Sequence, residues 1–315
     1  MPAFTASAPG KIILFGEHAV VYGKPAIAVP VTQVTARAIV QPDPRGAPGS
    51  MHIQAPAVGL DAFLADLPGE HPLAAAVNGV LSTLGVSRPL ACSLRITSTI
   101  PVASGLGSGA AVSVALIRAL SAFLGRPLSD EQVSALAFEV EKLHHGTPSG
   151  IDNTVITYAR PVYFVRGQPI EVLRVAQPFT IVIGDTGISS PTAIAVGDVR
   201  RLWQQTPAYY EALFNAAGQI AQQARQAIEA GHPETLGPLM DSNHALLQQM
   251  GVSSPELDHL VIVARQAGAL GAKLSGAGRG GNMIVLIQPA NATSVSEALS
   301  NAGAVRTITT QIIGR

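Results

Sequence analysis

Residues 101–116 read PVASGLGSGAAVSVAL. The alternating run before them, Cys92 to Ile100, predicts a strand, and Pro101 stops it. Ala110 to Leu124 is apolar on nearly every face and predicts a buried helix. Between strand and helix, Ser104 to Gly109 holds three glycines and two serines. A strand that breaks into glycines and then enters a helix leaves backbone N–H groups at the positive end of the helix dipole, which suits a phosphate. Gly105, Gly107 and Gly109 let the backbone approach an anion, and Ser104 and Ser108 add hydroxyl donors. The competing reading is a tight turn with no ligand. The pattern G-x-x-x-x-G-K-[ST] is absent. Gly105, Gly107 and Ala110 fit G-x-G-x-x-A, but Asp130 and Glu131, the acids at the right distance, fall in the first turn of a capped helix. A nicotinamide site needs an acid at a strand end.

Composition sets the outer limits. The chain has 315 residues, 47% apolar and 13% charged, against about 25% charged in an average soluble protein. A disordered or coiled-coil chain is excluded. Twenty basic residues balance twenty acidic ones, so there is no overall field to draw the protein to nucleic acid or to a membrane surface. An anionic ligand must be held by a local arrangement. Cys92 is the one cysteine, which rules out an internal disulfide and a cysteine zinc site and fits a reducing compartment. Met1 to Ala8 has no basic start, and Ile96 to Ile117 is too polar and broken to span a bilayer. The expectation is a cytoplasmic protein, with low charge leaving room for an apolar homodimer interface.

Strand patterns occur at Gln33–Gln41, Met51–Ala55, Asn153–Tyr158, Pro161–Val165, Phe179–Ile183, Met283–Ile287 and Val305–Thr309. Ser129 and Gln132 form a capping box at the head of a helix. Helical patterns dominate from about Pro191 to Ala267. The composition shifts between Val165 and Phe179, predicting an α+β protein of two domains, 1–170 and 171–315, with a cleft between them.

Two further segments carry glycine. PGKIILFGEHAVVYGK, Pro9 to Lys24, holds two of the chain's four lysines, Lys11 and Lys24, with Glu17 and His18 after its second glycine. Taken alone it reads equally well as a strand with charged flanks. KLSGAGRGGNMIVLI, Lys273 to Ile287, places four glycines between strand patterns, more than a plain hairpin needs. Between these segments lie two acids. Glu141 sits near the end of the capped helix, where the dipole disfavours a carboxylate; a cation or an ion pair with His145 would each explain it. Asp152, in HGTPSGIDN, is expected in a fixed turn entering a strand, either as a turn residue or as a carboxylate that accepts a proton from an alcohol.

In this order and separation, the three glycine segments resemble the three motifs of the galactokinase, homoserine kinase, mevalonate kinase and phosphomevalonate kinase superfamily. PGKIILFGEHAVVYGK, EKLHHGTPSGIDNTV, KLSGAGRGGN and DSNHALLQQMGVSSPELDHL are most similar to its mevalonate-phosphorylating branch. The resemblance implies a ribosomal-S5-like N-terminal domain, a ferredoxin-like C-terminal domain, and an active site in the cleft. It implies ATP and Mg²⁺, with mevalonate as the acceptor. Ser104, Gly105, Leu106, Gly107, Ser108, Gly109 and Ala110 would wrap the ATP phosphates. Asp152 and Lys11 would be catalytic. Glu141 would hold the metal, with Ser108 standing in for a serine that this chain replaces by Gly109. Glu17, His18, Ser149, Gly150, Lys273, Gly276, Ala277 and Gly278 would line the substrate site. Arg279 stands where the superfamily usually has another glycine, and its side chain is expected to point to solvent.

Overall fold

The structure is a computed structural model that describes residues 2–101, 104–169, 171–189 and 192–314, apart from Gly146, Thr147 and the side chains of His144 and His145. The chain divides into two compact units. One comprises Met1–Gly10, Val34–Val102 and Gly107–Ala159; the other comprises Lys11–Gln33, Ala103–Leu106 and Arg160–Arg315. Strands β1 (Phe4–Phe15) and β2 (Ala26–Pro42) each run from one unit into the other, and they pair.

In the first unit, β3 (Met51–Ala55), β4 (Leu60–Phe63) and β5 (Cys92–Ser98) join the second half of β2 in the order β4-β3-β5-β2. The register sets Val40 opposite Leu94 and Leu94 opposite Ile53. Cys92, Leu94 and Ile96 are buried while Arg95 and Thr97 are exposed, the alternation of a half-buried sheet. Burial pushes the Cys92 thiol up to about 12, so it stays protonated and inert.

Helices α1 (Pro72–Leu84), α2 (Ser108–Phe123), α3 (Asp130–His145) and α4 (Ile151–Tyr158) pack on one another in this unit. Helix α1 and strand β4 lie outside the patterns expected from the sequence. The capping box is formed: the Ser129 amide donates to Gln132 Oε1 at 3.0 Å and the Gln132 amide to Ser129 Oγ at 3.4 Å. Helix α4 corrects the strand expected at Asn153–Tyr158. Its β-branched residues favour a strand locally, but six of its eight residues are buried against α2 and α3. Asn153 Nδ2 donates to Ser134 Oγ at 2.8 Å, and Thr154 Oγ1 donates back to Gly150 O at 2.7 Å. Packing therefore outweighs a propensity worth only tenths of a kcal/mol per residue, about 0.7 at most.

The second unit holds β6 (Val162–Phe164), beside the first part of β2, and β7 (Glu171–Val172). A separate antiparallel sheet follows: β8 (Phe179–Asp185), β9 (Gly271–Ser275), β10 (Asn282–Ile287) and β11 (Arg306–Ile312), in the order β11-β8-β10-β9. Helices α5 (Thr192–Gln205), α6 (Pro207–Ala230), α7 (Leu236–Gln249) and α8 (Pro255–Gln266) lie between β8 and β9 in the chain. Helix α9 (Ala292–Asn301) lies between β10 and β11. This is the βαββαβ succession of a ferredoxin-like domain, with extra helices in its first crossover. Val182, Ala272, Leu274, Met283 and Val285 form a core with Leu247, Leu260 and Leu299 of the helices.

Candidate active site

The first glycine loop is built to leave amides open. Gly105 and Gly107 have φ of 78° and 73°, and Gly107 caps α2 without a side-chain hydrogen bond. The amides of the first helical turn have no intrahelical partner by geometry. Ser108 and Gly109 lie at the surface on that turn, whereas Leu106 and Ala110 anchor the loop in the interior. In the second unit the loop is fixed at two points. The Lys11 amide donates to Leu106 O at 3.0 Å, and Asn282 Nδ2 donates to Ser104 O. Asn282, at the start of β10, was not singled out in the sequence; its signal is its place directly after the glycine run.

Lys11 lies within β1 and is buried. Its ammonium acts on Glu17, lowering the cost of that carboxylate's charge. Glu17 and Lys273 form an ion pair with no side-chain exposure on either partner. Burial dominates both groups, raising Glu17 and lowering Lys273 from their ordinary values, and the pairing opposes both shifts. The Lys273 ammonium, expected on a substrate carboxylate, is thus committed to Glu17. Removing one partner of such a pair typically costs about 3–5 kcal/mol, because the other charge is left buried alone.

His18 occupies a strained turn. Its φ is 59° with ψ −49°, and the Ala19 amide donates to Glu17 O at 2.6 Å across it, the geometry of a rare γ-turn. Its Nε2 donates to Ala277 O at 2.9 Å. Burial is the largest cause that takes His18 down to about 4, so the ring is neutral at pH 7. With Nε2 carrying the proton, Nδ1 is a bare acceptor, and it is buried without a partner.

The third loop, Gly276 to Gly281, joins β9 to β10. The Arg279 amide donates to Val252 O at 2.8 Å, and the Gly281 amide to Ile188 O at 2.9 Å. Ser275 Oγ donates to Ile13 O of β1 at 2.7 Å. Arg279 does not point freely to solvent. Its Nη1 lies 2.5 Å from Asp198 Oδ2 on α5, and its Nε and Nη2 each reach Gly251 O at 3.4 Å. The acid that captures it is 81 residues distant in the chain, so no local pattern announces the pair. Behind β9, the Leu274 amide donates to His244 Nδ1 at 3.3 Å, and His244 Nε2 meets Asp258 Oδ1 at 3.1 Å. This fixes the tautomer of a second buried, neutral histidine, which desolvation takes to about 4.

In the first unit, Asp152 is partly exposed in the first turn of α4, behind the positive-φ cap Gly150, where the helix dipole favours negative charge. It stands on a helix rather than at the head of a strand. The Ile151 amide donates to Ser149 Oγ at 3.3 Å. Glu141 is buried near the end of α3. The ion pair weighed between Glu141 and His145 falls outside the described side chains. Among the described residues no three His, Cys, Asp or Glu side chains cluster as a metal site. A buried carboxylate such as Glu141 is a donor of the kind that suits magnesium, which takes one or two protein oxygens and completes its octahedron with phosphates and water.

Residues 73–160 match the N-terminal domain of the GHMP kinases, and residues 224–305 match the GHMP kinase C-terminal domain. The mevalonate kinase of Thermococcus sibiricus is 39% identical over 96% of this chain and 95% of its own length. The chain belongs to the GHMP kinase family. The mevalonate kinase of Pyrococcus horikoshii is 37% identical over 96% of this chain and 94% of its own. The solved structure of L. major mevalonate kinase in complex with R-mevalonate superposes with a TM-score of 0.84 at 32% identity, covering 98% of this chain and 96% of that one. This GHMP kinase thus carries both family domains, and its two sheets with their helices accord with the expected α+β fold. No helix among the described residues is long and apolar enough to cross a membrane.

Proposed function

We propose that this chain transfers the γ-phosphoryl group of ATP to the 5-hydroxyl of mevalonate, giving 5-phosphomevalonate and ADP. The observation that carries the reading is its similarity, over nearly the full length, to mevalonate kinases, one of them solved with R-mevalonate. Phosphoryl transfer asks a protein chiefly for alignment and charge neutralisation. In this reading Ser104 to Ala110 cradle the phosphates with the open amides of α2. Lys11 stabilises the alkoxide as it forms, and Asp152 accepts or orients the hydroxyl proton. Glu141 would hold magnesium, with the Ser108 hydroxyl as the second protein oxygen. The metal, when bound, neutralises charge on the phosphate oxygens. His18 offers Nδ1 to a substrate hydroxyl, and Glu17 with Lys273 forms the rigid floor beneath it rather than a direct contact.

An assay of ADP release with mevalonate as the only acceptor tests the activity, and the expected result is turnover that needs both ATP and Mg²⁺. A panel with phosphomevalonate and other alcohols tests specificity, since pocket contacts set the ratio of kcat/KM values. Asp152→Asn is expected to lower kcat by about 100-fold or more, typical of a lost acid–base group. Near-normal turnover in that variant would refute the role given to Asp152.

A further inference from the structure

Among the described residues three non-glycine residues have positive φ: His18, Ala159 and Arg279. Two of them belong to the candidate site and are linked through one short path. His18 bonds to Ala277 O, and Arg279, two residues further along the same loop, is close enough to oppose protonation of His18. A non-glycine residue at a φ of 59° sits in a conformation that side chains seldom adopt. It persists where surrounding contacts over-determine it, and for Arg279 those contacts are explicit. The backbone amide is held by Val252 O, and the guanidinium spans Asp198 Oδ2 and Gly251 O. Asp198 is also gripped from its own helix by Arg201 at 3.0 Å. The guanidinium of Arg279, then Arg201, holds the Asp198 carboxyl below the usual carboxylate range. The pair therefore stays charged through neutral pH. Other ties on the loop include backbone bonds to Val252 and Ile188 and the Thr186 hydroxyl on Gly281 O at 2.9 Å. Arg279 alone ties the loop to helix α5 through a salt bridge among the described residues.

We propose that the Arg279–Asp198 ion pair is a positioning element of this enzyme: it locks the loop Gly276–Gly281 to α5 and so sets the carbonyl of Ala277 that orients His18 for the acceptor alcohol. This rests on the functional reading above. Neither residue touches the reacting atoms in it; both act through the loop. The tether predicts a selective defect. Losing it should weaken capture of the acceptor and leave the nucleotide largely unaffected, because the phosphate loop is tied to paired strands: to the Lys11 amide in β1, and to Asn282, which follows the loop but is held in the sheet opposite Asp185 and Ser275.

Two variants of the full chain test this, Asp198→Asn and Arg279→Gly. The second deletes the tether but also releases the positive-φ strain, so its melting temperature is expected to stay within about 3 °C of the parent. In both, KM for mevalonate should rise about 5-fold or more while KM for ATP moves less than about 2-fold, a coupling of the size that loop tethers supply. Asp198→Glu should recover part of the loss. Amide hydrogen exchange is the readout independent of activity: exchange at residues 279 and 281 should speed up in both variants, with the β9 and β10 interior unchanged. Unchanged exchange overturns the tether. Faster exchange with an unchanged mevalonate KM overturns its role in placing the acceptor. Equal rises in both KM values point to general loosening and overturn the proposal too. If the parent chain does not turn over mevalonate, the functional reading fails separately, and with it the acceptor-placing role; exchange still decides whether the tether exists.

Discussion

A Cβ built at Gly109 meets nothing within 4 Å, whereas one built at Gly278 would sit 1.9 Å from the carbonyl oxygen of Val252. Gly105, also on the first loop, meets only Asn282 Nδ2 at 3.6 Å, while Gly280 on the third would bring a Cβ within 2.7 Å of Ile188 O. Both loops look alike in the sequence, yet they use the missing side chain differently. The first keeps space free over open amides, as a loop that receives an anion must. The third presses two of its four glycines, Gly278 and Gly280, into close contact with its own unit, while Gly276 and Gly281 have open space beside them, and bonds from Ser275, Thr186 and Arg279 reinforce it. Glycine in one place means access; in the other it means immobility.

Acid should break the comparison on one side only. His18 and His244 both brace the third loop and its strand, and burial lowers each to about 4. Their unfolded value is near 6.5, so between about pH 6.5 and 4 the unfolded chain binds protons that the folded chain refuses. Stability is full above 6.5 and falls as the pH drops through that window. Each shift corresponds to about 2–3 kcal/mol at pH 4. Urea midpoints taken from pH 7 to pH 4.5 should fall steeply, and His244→Gln should flatten part of the slope. A midpoint that does not move across this range would show that the two rings are not held neutral.

Gly278→Ala is the next largest effect. The new methyl meets backbone that cannot turn aside, at a φ of 78°. Overpacking and left-handed strain together are expected to cost about 3 kcal/mol, read as a lower urea midpoint at pH 7. A loss below about 1 kcal/mol would mean that the third loop is as free as the first, and the contrast would dissolve.

What could be read from the sequence followed from local rules. The helix after Ser104–Gly109 and the capping box at Ser129 arise from short-range chemistry, and both are present. So is strand β3 at Met51–Ala55, where alternation is strong. Helix α4 was misread because Thr154, Val155, Ile156 and Thr157 favour strands locally, and only the packing of α2 and α3 decides otherwise. At the site, Lys11, Glu17, His18 and Lys273 were legible as residues worth attention. Their partnerships were not. Glu17 meets Lys273 across 256 positions and His18 meets Ala277 across 259. Arg279 was expected in solvent because Asp198 gives no sign in sequence of lying beside it. The γ-turn at His18 leaves no composition signal either, since histidine is not a turn former of choice.

The smallest effect on folding is the sharpest test of the first loop. Gly109 lies in the opening turn of α2, outside the positive-φ region, with open space where a side chain would go. Alanine there relieves the entropy cost of glycine in a helix, so Gly109→Ala should leave stability unchanged or raise it by up to about 1 kcal/mol. If the space is kept for phosphate, the same methyl should raise KM for ATP several-fold and leave KM for mevalonate alone, the mirror image of the effect expected at Arg279. Gly109→Ser adds the same carbon and, beyond it, a hydroxyl oxygen beside Ser108. If that region holds magnesium, serine should lower the Mg²⁺ concentration needed for half-maximal rate relative to alanine. Equal Mg²⁺ requirements in the two variants would separate the open turn from the metal and leave Glu141 as the protein ligand to test next.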